Sequence, residues 1–409
     1  MIKILKQDQF KTIQFHFHFL ESLNSETFAY RFLLMKVLTS STEALSSKKQ
    51  LNQYLAELYG LQINDGILSI GDHHDINIQF TMPDVRFIKD DILNEVVTLI
   101  KSMFFDRSSF NEDVFNDAKR LAIETIETTK ERKYEYAVSQ FLSHMFEKTP
   151  LKKRLYGTIE DIQRITLAGL LDYYEQHFLK DTLLLYVSGH LDIKQEKLIL
   201  NTFTPYDNNQ SSSVKLLKQS FNESQHIDEY LPMKQALVFL GYSMPIDPSH
   251  ALYTAASLTN YLIGGSPESL LFKLFREHYQ LAYDVESDYG YDKNSLLVYA
   301  NTDADNYVEN RDKLISMIGF YCESGPDLDT LELQKKAYIN LLLLSNDYQE
   351  RIVLKSLGQD LFGIPADINE TIKRIKAVTV EDIKDCLSLL TLQLSYTLHG
   401  GVSDETESF

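Results

Sequence analysis

LFKLFREHYQLAYDVES, residues Leu271 to Ser287, reads as a helix that runs straight into a strand. Leu271, Leu274 and Phe275 share one face at helical spacing, and Arg276 stands near the helix end. From there Leu281, Tyr283 and Val285 alternate with Ala282, Asp284 and Glu286, the two-residue period of a strand. Within the stretch, Glu277-x-Tyr279-x-Leu281 repeats Glu57-x-Tyr59-x-Leu61 from 220 positions earlier. A second echo links Ile162-x-x-Ile165-Thr166 to Ile375-x-x-Val378-Thr379, and each copy precedes a helix and a last strand ending near Gly189 or Gly400. Two copies of one α+β domain account for both echoes.

The order of elements agrees. TIQFHFHF (Thr12 to Phe19) is a strand with Phe15, Phe17 and Phe19 on one face and His16 and His18 on the other. Helical stretches follow at Phe28 to Leu38 and Ser46 to Glu57, then a hairpin from Leu61 to Pro83 turning at GDHHD, Gly71 to Asp75. Long helical runs fill Phe87 to about Phe146, another spans Thr158 to His177, and a buried strand ends at Gly189. The polar run beginning NNQSSS at Asn208 reads as a linker, after which Leu237 to Gly241 restarts the series as a strand and Tyr253 to Leu262 as a helix. The expected division is 1–205, a linker at 206–228, and 229–409.

Composition narrows the partners. The 409 residues carry 58 Asp and Glu against 40 Lys and Arg, a net charge of −18, so the long-range field repels nucleic acid and anionic membrane. A basic or unfolded peptide suits that field better. Cys322 and Cys386 supply neither a disulfide framework nor a thiolate zinc site. The opening residues MIKILKQDQFKTIQF lack an apolar core of signal-peptide length, and the expectation is a cytoplasmic protein.

Arg276 and Tyr283 flank one helix-to-strand turn. A guanidinium with five N–H groups and a phenol with one O–H together orient a peptide carbonyl without reacting with it. The plainer reading is an arginine favoured by the dipole at a helix end and a half-buried strand tyrosine. Gly264-Gly265 likewise reads either as a helix stop or as an anion loop. No G-x-S-x-G, G-x-x-x-x-G-K or G-x-G-x-x-G occurs.

GYSMP (Gly241 to Pro245), NYLIGGSPESLLFKLFREHYQLAYDVES (Asn260 to Ser287) and YGTIEDIQRITLAGLLDYYEQHFLKDTLLLYVSGH (Tyr156 to His190) together resemble the insulinase/pitrilysin (M16) family of zinc metallopeptidases. The resemblance spans nearly the whole chain. It implies the mitochondrial-processing-peptidase-like fold, two homologous domains each a mainly antiparallel sheet covered by helices. It also implies that Arg276 and Tyr283 bind substrate backbone and that Gly264 and Gly265 belong to substrate capture or to closure of the peptide chamber.

The family's His-x-x-Glu-His, in which two histidines hold zinc and the glutamate activates water, does not occur. By the resemblance, Arg31, Leu34 and Met35 stand at its positions, and Glu124 at that of the distal ligand. Arginine stays protonated, leucine accepts no proton, and a lone thioether is a poor zinc ligand. His18-Phe19-Leu20-Glu21 and His144-Met145-Phe146-Glu147 each lack the second histidine, and His16, His18, His73 and His74 read as exposed strand and turn residues.

The chain most resembles a bacterial branch in which an inactive chain accompanies an active sister, associated with elongation-factor-P modification or peptide-antibiotic maturation. The expectation is therefore a non-catalytic subunit with no cofactor of its own, pairing with a zinc-bearing sister around a peptide substrate and forming a possible homodimer in isolation. The alternatives are an active zinc peptidase with a non-standard site and a structural peptide-binding or docking protein without a peptidase partner.

Overall fold

In the computed structural model, residues 1–208, 214–217 and 224–400 are described. The first sheet comprises β1 (Ile2–Lys6), β2 (Thr12–Ser22), β3 (Gln62–Ile70), β4 (His73–Pro83) and β5 (Thr182–Gly189), in the order β1-β5-β2-β4-β3. β1 pairs with β5 in parallel, and every other pair is antiparallel. The second sheet comprises β6 (Gln225–Tyr230), β7 (Gln235–Ser243), β8 (Ala282–Gly290), β9 (Ser295–Asp303) and β10 (Thr391–His399), in the order β6-β10-β7-β9-β8. Its only parallel pair among the described strands is β6 with β10. The two orders are the same topology, position for position, and the expected duplication is present in both sheets.

The repeat extends to backbone hydrogen bonds. The Leu61 amide closes on the Leu55 carbonyl at 3.1 Å, and the Leu281 amide on the Phe275 carbonyl at 3.0 Å. Gly60 (φ 72°) and Gln280 (φ 55°) hold the same left-handed position in these turns. The expected single helix from Thr158 to His177 is two, Ile159–Arg164 and Leu167–Gln176, capped by Thr158 and Thr166. The second half breaks at the same place, where Thr379 caps Val380–Ser388 after Ile368–Ala377. A threonine oxygen that accepts amides of the next turn starts a new helix and ends the old one.

The chain divides into two compact units that do not follow the sequence halves. The first is Met1–Glu131, Lys153–Val214 and Gln349–Leu354, and the second is Arg132–Lys152, Lys215–Tyr348 and Lys355–Phe409. Helix Lys133–Met145, expected with residues 1–205, packs on the second sheet through Ala137, Phe141 and Met145 against Leu237, Phe239 and Tyr396. Gly241 admits that helix closely, since a Cβ there would lie 2.6 Å from the Met145 sulfur. Conversely, Gln349 belongs to the first unit, where its side-chain amide donates to the carbonyls of Ser188 at 2.7 Å and Thr12 at 3.1 Å. The expected linker at 206–228 also needs correction at its end, because Gln225–Tyr230 is β6; residues 209–213 and 218–223 lie outside the described residues.

β2 corrects another expectation. His16 and His18 are buried, as is His74 at the start of β4. A central strand with partners on both sides and cover on both faces hides its polar alternates as well as its apolar ones.

In the second unit, helix Tyr253–Ile263 ends against β8. A Cβ at Gly264 would stand 2.7 Å from the Ser287 backbone nitrogen, and the Ser287 hydroxyl donates to the Asn260 side-chain oxygen at 2.7 Å. Gly264→Ala is expected to destabilise the protein by about 1–3 kcal/mol through overpacking against backbone. Gly319→Ala, mid-helix with open space around the added methyl, is expected to stabilise it by about 0.5–1 kcal/mol. Urea denaturation of the two variants checks both signs.

Candidate functional site

Helix Phe28–Leu38 carries Arg31, Leu34 and Met35, the residues that the resemblance sets at the metal motif, and all three lie inside the first unit. Leu34 and Met35 join the apolar core beneath the sheet. Arg31 is fully buried, and its guanidinium is saturated. Nη1 donates to Asp181 at 2.7 Å, Nη2 to the Phe19 carbonyl at 2.7 Å, and Nε to His74 Nδ1 at 2.9 Å. Glu21 stands 3.6 Å away. Burial opposes the charge, yet Asp181, Tyr173 and Glu21 hold the guanidinium above its ordinary value. Burial likewise pushes Asp181 up to about 6 against the pull of Arg31, which leaves it a carboxylate at neutral pH.

His74 completes the cluster as a neutral ring. Burial and the Arg31 charge lower it to about 3. Nε2 meets the Leu155 carbonyl at 3.0 Å and so carries the hydrogen, and Nδ1 keeps a lone pair for Arg31. Glu124, by contrast, is exposed on helix Glu112–Glu127 and pairs with Arg120 at 3.3 Å. An arginine, a leucine and a methionine in the interior and one solvated glutamate do not fit zinc. His18 bonds Asp75 at 2.7 Å, and among the described residues no three His, Cys, Asp or Glu side chains form a group able to hold a metal.

The second unit presents the other pair. Leu271–His278 is a π-type helix, closed by the Tyr279 amide on the Leu274 carbonyl at 2.9 Å, an i→i+5 bond. With more residues per turn than an α-helix, Leu271 and Phe275 face inward together. Leu274, expected on that face, is instead exposed. Arg276 is half-buried, its guanidinium stacked 4.5 Å from the centre of the Phe272 ring, with no hydrogen-bond acceptor or carboxylate partner among the described residues.

Tyr283 is turned by a β-bulge. Ala282 pairs with Thr302 and Asp284 with the next residue, Asn301, so Tyr283 is the extra residue on β8. Without the bulge it would point with Val285 into the core. With it, Tyr283 is 65% exposed and borders a cavity of about 630 Å³, together with Tyr134, Tyr299 and Asn301. Arg276 does not line that cavity. The structure brings Tyr283 together with Tyr134, Lys133 and Lys234, which sequence reading missed; the signal lay in the helix from the other sequence half. Gly264 and Gly265 form the helix stop, and both of their amides lie 3.1 Å from the Asn260 carbonyl.

Residues 164–338 match the family model described as peptidase M16 inactive domain. Over those residues the chain resembles the M16 family. It is 26% identical over 416 residues to the probable inactive metalloprotease YmfF of Bacillus subtilis, covering 97% of this chain and 95% of that one. It is 22% identical to the uncharacterized zinc protease YmxG of the same organism, covering 72% of each. A conserved protein from Enterococcus faecalis V583 shares the fold with a TM-score of 0.87 at 24% identity, over 100% of this chain and 97% of that one. These names and the unsuitable donor set support a non-catalytic M16-like protein.

Arg31→Met is expected to destabilise the protein by about 3–5 kcal/mol, because it strands Asp181 without its cation. Arg31→Met combined with Asp181→Leu is expected to lose less than Arg31→Met alone. Denaturation of wild type, both single variants and the double variant gives the coupling directly.

Proposed function

We propose that this M16-like protein is a non-catalytic subunit that binds a peptide for cleavage by a zinc-bearing M16 sister. The observation that carries the reading is the pair of unspent donors on one helix-to-strand unit. Among the described residues Arg276 is a cation without an acceptor and Tyr283 an exposed phenol without one, in a chain where acids outnumber bases by 58 to 40. Arginines in such a protein readily find carboxylates, as Arg31, Arg86 and Arg374 do. A guanidinium held over a ring is pre-oriented, so little rotamer freedom remains to be lost when it meets a carbonyl. Tyr283, swung out by the bulge, supplies a second donor.

The first unit supports the same reading from the other side. Its motif positions serve packing and a buried ion pair, so bond cleavage falls to a partner. Similarity to two proteins of one organism, one named an inactive metalloprotease and one a zinc protease, suits a paired arrangement.

Fluorescence anisotropy with a fluorescein-labelled, unstructured twelve-residue peptide tests the binding. Arg276→Ala is expected to weaken it by roughly tenfold to a hundredfold, the value of a hydrogen bond to a charged donor, and Tyr283→Phe by a smaller factor of roughly two to ten. Co-purification with the His-x-x-Glu-His homologue of the same genome tests the pairing. Unchanged affinity in Arg276→Ala contradicts the proposed role of the pair.

A further inference from the structure

We propose that the cavity beside Tyr283 is an anion subsite, selecting peptides that carry a carboxylate close to the carbonyl engaged by Tyr283. The inference rests on the peptide-binding reading above and adds the class of peptide. Two lysines line the cavity, Lys133 and Lys234, and neither has a carboxylate partner among the described residues. That is unexpected in a chain with a net charge of −18. Lys133 also sits in the first turn of helix Lys133–Met145, at the positive end of the helix dipole, and the acid of that turn, Glu135, is paired with Arg132 at 2.7 Å. An anion in the cavity would meet both lysines and the helix end.

The rest of the lining matches an amino-acid residue attached to a backbone. Tyr134 and Tyr299 stand edge to face with centroids 4.9 Å apart and form an aromatic wall for an aliphatic stem. Asn301 donates to Gln235 at 2.9 Å, which fixes its amide at the cavity wall. Three carboxylates lie on β8 close enough to act on the Tyr134 phenol, Glu286, Asp284 and Asp288. Glu286 accepts from the Tyr134 phenol at 3.3 Å, and Asp284 from the Val285 amide at 3.0 Å. None of the three lines the cavity. The net negative charge favours a basic partner at long range, but beyond about 10 Å such fields are screened, and the two lysines decide what enters.

The carboxylate has two sources, an acidic side chain or a free peptide C-terminus. Anisotropy on the full chain separates them, using labelled twelve-residue peptides that differ only in a central Glu or Gln with an amidated end, or only in a free or amidated end. The wild type is expected to bind one carboxylate form about tenfold or more tighter than its neutral twin; the pair that shows it names the source. Lys133→Gln/Lys234→Gln is expected to abolish the preference and keep the neutral peptide's affinity, whereas Arg276→Ala weakens all peptides alike. Equal binding of all twins by the wild type, or a preference that survives the double lysine variant, overturns the subsite. If Arg276→Ala still weakens binding in that case, the peptide-binding reading stands. Absence of binding by every peptide overturns both.

Discussion

One buried guanidinium organises the first unit. Arg31 reaches from helix Phe28–Leu38 to the Phe19 carbonyl on β2, to His74 on β4 and to Asp181 just ahead of β5. A cation taken out of water is tolerable only when its N–H groups find acceptors and its charge finds an anion. Here they do, and the aspartate, the neutral histidine and the carbonyl are fixed in return. The interaction occupies a position that the resemblance assigns to a metal ligand.

The two units share a topology and a turn, yet they spend the same geometry differently. At the end of helix Lys48–Glu57, Tyr59 (φ 56°) and Gly60 (φ 72°) are both left-handed; at the corresponding turn only Gln280 (φ 55°) is, and each copy thus holds one non-glycine residue there at a cost of about 1–2 kcal/mol. The second copy carries the π-helix, the bulge and the two donors without acceptors among the described residues. Irregular backbone of this kind re-aims side chains, and Arg276 and Tyr283 are the side chains re-aimed.

Much of this was legible in the residues. The echoes around Tyr59 and Tyr279, and around Thr166 and Thr379, reveal the duplication because they mark helix ends, where capping chemistry restricts the choice of residue. The burial of His16 and His18 was hidden, since a two-residue period tells which residues share a face but not whether the second face is covered. β1 and β6 were hidden too, being short edge strands of mixed polarity. Helix Lys133–Met145 has an apolar stripe that fits either sheet in principle, and only Gly241, a hundred residues on, reveals which. The outward turn of Leu274 and Tyr283 depends on one extra residue per turn and one bulge, departures from regular periods that no periodic reading contains.

The central claim, that the position the resemblance assigns to a metal ligand holds a buried arginine cluster instead, meets its most direct test in elemental analysis of the untagged, purified chain for zinc, before and after incubation with the metal. The account predicts well under one equivalent and no stoichiometric uptake on addition. One tightly held equivalent would contradict it and would place ligands somewhere other than Arg31, Leu34 and Met35.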